Sequence, residues 1–359
     1  MSQFRVGIVG CGEATQILHL PSLYQLNEQF AVTALCDVSK SIMREVGRRW
    51  GIATQIVDYR ELVVREDVDI ILVANPNPYH FPVTVAAIDA GKHVLVEKPM
   101  CFSTEEADTI GARAREGGVV VQVGYMRRYA PSFVEACRRV KQNGPIRMAR
   151  VHAVIGANSQ FVAPTSRVIR GNDVPEEARI EAAQMDADAT LAAIGKVSTE
   201  ISNAYHLLLG LSSHDLSAMR EIIGTPSRVL SATMRRGGRC LTATFDYGDF
   251  VCSFDTGIDQ IARFDASIEV FGDEEEVRVE YNTPYVRNLP TLVTSIRAKG
   301  THGVEISTQH DWGDSFVEEW RALHENITEG KEPKTSAADF RQDLVTFQEM
   351  IRHFQASPT

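Results

Sequence analysis

The sequence predicts an α/β chain: an N-terminal doubly wound parallel sheet, then an α/β domain with a large, mainly antiparallel open sheet. From Phe4 to about Val123, short apolar runs alternate with helical patterns, which implies a parallel sheet with helices on both faces. Beyond Gly144-Pro145 the runs alternate apolar with polar residues and are joined by glycine turns, the pattern of an antiparallel sheet with one wet face. A length of 359 residues exceeds what one hydrophobic core usually organises. The expected division is therefore 1–125 for the first domain and 126–359 for the second, with the boundary near 125 to 145.

Arg5 to Val9, Ala31 to Cys36, Ile70 to Ala74, His93 to Val96 and Val119 to Val123 read as buried strands. Ser41 to Trp50 and Phe81 to Ala90 read as helices between them, the second closed by Gly91 at a C-cap position. A strand-like run from Ile146 to Ile155 precedes an irregular piece, Gly156 to Asp173, rich in Gly, Pro, Asn and Ser. Pro175 to Ile194 reads as an acidic helix, and Ile201 to Ile223 as an apolar one ended by Gly224 and Pro226. Val229 to Met234, Cys240 to Tyr247, Phe250 to Asp255, Asp265 to Phe271 and Glu276 to Tyr281 read as strands. Ser315 to Phe354 is helical with a break around Gly330 to Ser336, and is expected to dock back on the first domain. The acidic helix belongs to an insertion over 156–200 that carries no motif; it reads as a solvated face, a lid or an oligomer contact.

The composition, 44% hydrophobic and 23% charged without low-complexity stretches, is that of a chain able to bury a sizeable core. A formal net charge of -10 sets this surface against nucleic acid and anionic membranes, so neither is expected as a partner. Six cysteines are scattered without CxxC or Cys/His spacing, which predicts a reduced chain with no metal cluster. The N-terminus leads into a short apolar strand rather than a signal-peptide core, and no run reaches membrane-spanning length; the expected location is cytoplasmic.

The first strand runs into Gly10-Cys11-Gly12-Glu13-Ala14-Thr15. There the first glycine suits a tight turn, and the second lets backbone N–H groups approach a pyrophosphate at a helix N-terminus, as in a Rossmann domain. The third glycine of that fingerprint is replaced by Thr15, which demands more room between helix and strand. The second strand ends at Asp37, close to the spacing at which a carboxylate meets the ribose hydroxyls of NAD and repels a 2'-phosphate. NAD is the expected cofactor, with NADP as the alternative because of Lys40 nearby and because a strand-end Asp also serves as a helix N-cap.

The segment Ala90-Gly91-Lys92-His93-Val94-Leu95-Val96-Glu97-Lys98-Pro99 resembles the signature of the Gfo/Idh/MocA family, the glucose-fructose oxidoreductase and inositol dehydrogenase group. The likeness extends to Asn75-Pro76-Asn77 with His80, to Val123-Gly124-Tyr125-Met126-Arg127-Arg128-Tyr129-Ala130-Pro131, to His214, and to Lys334-Thr335-Ser336-Ala337-Ala338-Asp339. The resemblance implies a Rossmann domain followed by an open-sheet domain, a sugar or cyclitol substrate, and a homo-oligomer, dimer or tetramer, formed through the open sheet. It places Gly10, Gly12, Glu13, Ala14, Thr15, Asp37, Asn75, Asn77, His80, Glu97 and Lys98 at the cofactor, and Tyr125, Arg128 and His214 at the substrate, with an ion pair at a domain interface as the equal alternative for Arg128.

Moving a hydride from a secondary alcohol to nicotinamide requires removal of the hydroxyl proton, which a partly buried lysine near a cationic ring can accept. Lys98 follows the C-terminal end of a strand, where ligands of open α/β sheets bind. Glu97 is expected to orient it or to bind the cofactor. His214 is the second catalytic candidate, to share the proton or hold the hydroxyl. Family members with an acid/base dyad carry Asp one turn before this His, where this chain has Gly210; Asp215 is a poor substitute because adjacent helical residues point apart. His206 lies two turns earlier on roughly the same face. Asp186 and Asp188 of the insertion are the other carboxylates considered, His19 reads as structural, and His152 as a weaker pocket candidate. The leading function is an NAD(P)-dependent dehydrogenase or reductase. The alternatives are a lyase or glycosidase using transient sugar oxidation, and a cofactor-binding regulator without turnover.

Overall fold

The computed structural model describes residues 3–308 and 312–356. These fall into two compact units. The first gathers the described residues up to Tyr125 with Ser166–Gly195 and Phe316–Arg341; the second gathers Met126–Thr165, Lys196–Ser315 and the described residues from Gln342 on. The division falls at residue 125 along the first part of the chain, while part of the insertion and one terminal helix group with the first unit.

The first unit is built on six strands, β1 (Phe4–Val9), β2 (Phe30–Cys36), β3 (Thr54–Ile56), β4 (Ile70–Val73), β5 (His93–Val96) and β6 (Val121–Val123). They pair in the order β3-β2-β1-β4-β5-β6, every pair parallel, the doubly wound arrangement expected. All of β4 is buried, as an apolar strand covered on both faces must be. The helix Lys40–Trp50 starts at Ser39, whose hydroxyl accepts from the Ile42 N–H, and ends at a left-handed Gly51. Thr104–Gly117 opens with a capping box between Ser103 and Glu106. The helix Ser315–Glu329 contributes Val317, Trp320 and Leu323 to the core formed by Phe30, Leu35, Leu72 and Leu95. An indole buried this completely is the kind of anchor whose removal costs about 3–5 kcal/mol. No described helix is long and apolar enough to cross a membrane.

Ser166–Gly195 is fastened to the first unit by polar contacts that no periodicity announces. The Gln16 amide accepts from Ile169 N–H (2.8 Å) and donates to the Ile169 carbonyl (2.9 Å). Arg49 donates to the Arg167 carbonyl at 3.1 Å, and Arg170 pairs with Glu13 at 2.7 Å. The acidic helix runs over Glu176–Ile194 behind Pro175, as expected. The piece before it contains a short helix, Ser159–Thr165, where only irregular chain was expected.

In the second unit, β7 (Ile146–Ile155), β8 (Arg228–Arg235), β9 (Cys240–Asp246), β10 (Val251–Ile258), β11 (Phe264–Gly272), β12 (Glu275–Tyr281), β13 (Leu292–Lys299) and β14 (His302–Thr308) form one sheet. The order is β14-β13-β12-β11-β7-β10-β9-β8, antiparallel throughout except for β7 with β10. Along β7, Ala149, Val151, Ala153 and Ile155 are buried while Arg150, His152 and Val154 lie on the other face, more open to solvent. The apolar helix expected over Ile201–Ile223 is Thr199–Leu207 and Ser213–Ile223 joined by a π-helical turn, Leu208–Ser212.

Candidate functional site

The turn after β1 has the two glycines for different reasons. Gly10 sits at φ +95, and a Cβ on it would lie 2.4 Å from the Ala74 carbonyl oxygen, so only glycine fits. A Cβ on Gly12 would meet no protein atom within 4 Å. Its backbone borders open space, the cradle a pyrophosphate needs and a side chain would fill. Thr15, in place of the third glycine, is buried and donates its hydroxyl to the Gly10 carbonyl at 2.6 Å, tying the turn from within. At the end of β2, Asp37 accepts from Cys11 N–H and Ser39 N–H, each at 2.8 Å. Both bonds fix the carboxylate in place and leave lone pairs for ribose hydroxyls.

A cavity of about 380 Å³ opens beside these residues, within the range of small-molecule sites, about 300–1,000 Å³. Gly10, Asp37 and Asn75 line one side of it, and Ala178 and Ala182 of the insertion helix another. The Asn75 Oδ1 atom is buried and meets no hydrogen-bond partner among the described residues, which suits a ligand donor such as a ribose hydroxyl. Asn77 opens the short turn Asn77–Tyr79 beside it, Ala14 precedes the helical turn, and Glu13 is engaged by Arg170. These features fit a dinucleotide.

His80 is buried, with Nδ1 2.7 Å from the Pro99 carbonyl and Nε2 2.8 Å from the Asn75 carbonyl, so both ring nitrogens are committed to backbone. Burial lowers its pKa, against the pull of the two carbonyls and Glu97. His80 clamps the Asn75 turn to the Lys98-Pro99 turn, with both ring nitrogens turned to backbone carbonyls rather than to open space.

Glu97-Lys98-Pro99 lies directly after β5, with a cis bond before Pro99. Glu97 Oε1 lies 2.9 Å from His19 Nε2, and the Trp320 indole N–H donates to His19 Nδ1 at 3.2 Å. Because the indole can only donate, Nδ1 must carry a lone pair, which makes Nε2–H the donor to Glu97 in a neutral ring. Burial by itself would raise the Glu97 carboxyl; the hydrogen bond from His19, with the Lys98 ammonium nearby, outweighs it and holds the group below the ordinary carboxylate range. The Lys98 N–H donates to Glu97 Oε2 at 3.2 Å, and its side chain is half-buried. His19, read from sequence as structural, thus anchors the carboxylate next to the acid/base candidate. Nothing local signals this, since its partners lie 78 and 301 residues away in sequence.

In the second unit, His206, Gly210 and His214 are the half-buried positions along a helical run whose other residues from Ala204 to Met219 are buried. A Cβ added at Gly210 would meet no atom within 4 Å. His206 Nδ1 lies 2.8 Å from the Ser202 carbonyl. Asp215 points elsewhere: it is buried against Arg127, whose guanidinium also stacks over Tyr281 at 4.8 Å and Phe264 at 5.4 Å. Burial raises the Asp215 carboxyl and Arg127 opposes the rise.

Two substrate-lining expectations are corrected. Arg128 is buried in an ion pair with Glu221 at 2.5 Å. Tyr125, in the first unit, is fully buried against Phe340, with ring centroids 6.0 Å apart, and so belongs to a core. His152 lies between Asp255 (2.5 Å) and Asp265 (3.3 Å) on the outward face of the second sheet. Asp186 and Asp188 ride on the insertion helix of the first unit, Asp188 accepting from Gln184 at 2.9 Å. Among the described residues no group of His, Cys, Asp and Glu is arranged to hold a metal ion.

Residues 4–125 match the model of the Gfo/Idh/MocA oxidoreductase family, NAD-binding Rossmann fold. An uncharacterized oxidoreductase of Escherichia coli, YdgJ, is 32% identical over 130 residues, 36% of each chain. The inositol 2-dehydrogenase/D-chiro-inositol 3-dehydrogenase of Shouchella clausii is 31% identical over 178 residues, 47% of this chain and 51% of that one. These matches thus span no more than about half of those relatives' own length. The myo-inositol 2-dehydrogenase of Thermotoga maritima is 23% identical over 358 residues, 95% of this chain and 93% of the other. Among solved structures, levoglucosan dehydrogenase with NADH and levoglucosan superposes with a TM-score of 0.78 at 15% identity, covering 99% of this chain and 98% of that one. A 3-ketoreductase from Actinomadura kijaniata with NADP and TDP-benzene superposes with 0.73 at 18% identity, with coverage of 99% and 98%. At such identities the likeness is one of fold, shared by proteins holding NADH in one case and NADP in the other.

Proposed function

Because residues 4–125 match the Gfo/Idh/MocA oxidoreductase family model, we propose that the chain moves a hydride between NAD and a ring hydroxyl or ketone of a sugar, cyclitol or sugar derivative. The observation that carries this reading is the Glu97-Lys98-Pro99 turn, held by the His19–Glu97 bond and the His80 clamp in the same unit as the Gly10–Gly12 cradle. When bound, the nicotinamide supplies the acceptor or donor of the hydride. Lys98 takes the hydroxyl proton during oxidation and returns it during reduction. His19 and Glu97 are positioning residues that keep an anion beside the Lys98 backbone. His214 holds the substrate hydroxyl. Asp37 favours NAD, since its carboxylate accepts from ribose hydroxyls and repels a 2'-phosphate. The protein works in the cytoplasm as a homo-oligomer joined through the outward face of the β7–β14 sheet.

The absence of a carboxylate at Gly210 favours one second reading, a lyase or glycosidase that oxidises the sugar transiently and returns the hydride. One experiment separates the readings: the purified chain is incubated with NAD and a panel of sugars and cyclitols while reduced nicotinamide is followed by absorbance and products by chromatography. Net reduction of NAD supports the first reading and product without net reduction the second. Binding without any product overturns both and leaves a regulator.

A further inference from the structure

Asp173, in the inserted segment of the first unit, lies against the loop that begins at Asp37. Its Oδ1 accepts from the hydroxyls of Ser39 (2.5 Å) and Ser41 (2.6 Å), and its Oδ2 from the Ser41 N–H (2.9 Å). Ser39 is the N-cap of the helix Lys40–Trp50, so the carboxylate sits at the positive end of that helix. The seat is closely fitted. A Cβ on Gly171 would lie 2.5 Å from Ser39 Oγ, 2.8 Å from Ser41 Oγ and 2.9 Å from Asp173 Oδ1, so the segment reaches this position only because residue 171 is glycine. The Ser39 hydroxyl, followed by Ser41, holds the Asp173 carboxyl far below its ordinary range, so it is anionic in this seat.

Asp37 shares the same loop, its Oδ1 accepting from Ser39 N–H. In a doubly wound sheet the ribose hydroxyls meet the carboxylate that ends the second strand, so a phosphate on the 2' oxygen would fall beside residues 38–41. Hydroxyls and amide donors at a helix N-terminus are what such a phosphate would use. Here Asp173 already engages them. Of the nearby cations, Lys40 follows Ser39 in sequence, and Arg60 on the cavity wall is tied to Asp58 at 3.1 Å. We infer that Asp173 is a specificity-determining residue: an internal anion, delivered by the insertion, that fills the 2'-phosphate subsite and sets the protein for NAD.

This rests on the reading of the first unit as an NAD site, and the test keeps the two apart. The full chain and its variants are titrated with NAD and with NADP by calorimetry, with melting curves to confirm folding. The parent should prefer NAD. Asp173→Ala frees two hydroxyls and an N–H and removes one negative charge, so NADP affinity should rise on the order of ten-fold while NAD affinity stays nearly unchanged. Asp173→Asn, of the same shape without the charge, should move part of the way and serves if the Ala variant does not fold. Arg48→Ala removes an exposed pair with Glu45 on the same helix without touching the seat or the inserted segment, and should leave the NADP-to-NAD ratio at the parent value. A parent that binds neither dinucleotide, or prefers NADP, overturns the reading of the site. A parent that prefers NAD, with the ratio unmoved in folded Asp173 variants or moved equally by Arg48→Ala, overturns the inference alone.

Discussion

The two glycines of the first turn should fail in opposite ways when a single methyl group is added. Gly12→Ala meets no protein atom within 4 Å, and Gly12 is not among the glycines at positive φ. The unliganded chain should then melt no lower than the parent, and loss of unfolded-state freedom can add about 0.4–1 kcal/mol. The added methyl stands where the pyrophosphate must approach the backbone, an overpacking that costs about 1–3 kcal/mol in the complex. That is roughly a ten-fold to hundred-fold weaker dinucleotide. Gly10→Ala carries the reverse burden. Its left-handed backbone costs about 1–2 kcal/mol with a Cβ, and the 2.4 Å approach to the Ala74 carbonyl forces β1 and β4 to shift as well. The assay is thermal unfolding with and without NAD, where a ligand at a hundred times its Kd adds about 2.7 kcal/mol. The parent should show a ligand-induced rise in Tm, Gly12→Ala a parental unliganded Tm with a diminished rise, and Gly10→Ala a lowered unliganded Tm. A Gly12→Ala variant whose NAD-induced rise equals the parent's would refute the placement of the dinucleotide on this turn.

Lys98→Ala should lower turnover by about 10²–10⁴ on a confirmed substrate while keeping the NAD-induced rise in Tm; a loss of only a few-fold removes Lys98 from the proton transfer. His214→Ala should raise KM and spare much of kcat, and Gly210→Asp, at a position with room for a side chain, should fold normally and shift the pH profile of kcat/KM by giving His214 a carboxylate. Equal turnover losses in the Lys98 and His214 variants, with none further in the double, would count against separate roles. Glu97 is held below its ordinary range, so its contribution to stability is present above the unfolded value of about 4.3 and is lost as pH falls through the folded one. His19→Phe should flatten this acid limb of Tm against pH, and an unchanged limb would mean that His19 does not hold Glu97. Asp343→Ala would break the pair that Asp343 makes with Arg220 at 2.7 and 2.9 Å, both side chains being buried, at a cost of about 3–5 kcal/mol in denaturant unfolding. A loss below about 1 kcal/mol would show that water reaches Arg220.

What could be read beforehand depended on how local the governing physics is. Strands such as Ile70–Val73, buried on both faces, announce themselves as unbroken apolar runs. β3 is only Thr-Gln-Ile, and the edge hairpin of β13 and β14 exposes most of its residues, so neither presents a period to recognise. Near the proposed site, the Gly10–Gly12 turn and the Glu97-Lys98-Pro99 turn could be located because the backbone there makes local demands. Tyr125 and Arg128 were placed correctly along the chain but aimed wrongly, because sequence position does not say which side of a turn a side chain takes when Phe340 or Glu221 waits on the other. Bonds across hundreds of residues, such as Trp320 to His19, leave no local trace at all.

The insertion shows how a correct reading of an element can miss its use. A helix with so many carboxylates reads as a solvated face, and its acidic side is one. Its Ala178 and Ala182, however, line the cavity beside Asp37, as do Glu181 and Tyr79, whose hydroxyl burial and the Glu181 carboxylate push up to a pKa of about 12. The small residues let the helix approach the cavity, while Gln16, Arg49 and Ser39 fix the chain leading into it. The glycine turn and strand-end Asp37 are elements a doubly wound sheet can offer any dinucleotide, whereas Asp173 arrives only with this segment. If Asp173 fills the 2'-phosphate position as inferred, selectivity for the cofactor resides as much in the segment that encloses the loop after β2 as in the loop itself, and replacing Asp37 alone should leave the Asp173 carboxylate facing an incoming 2'-phosphate.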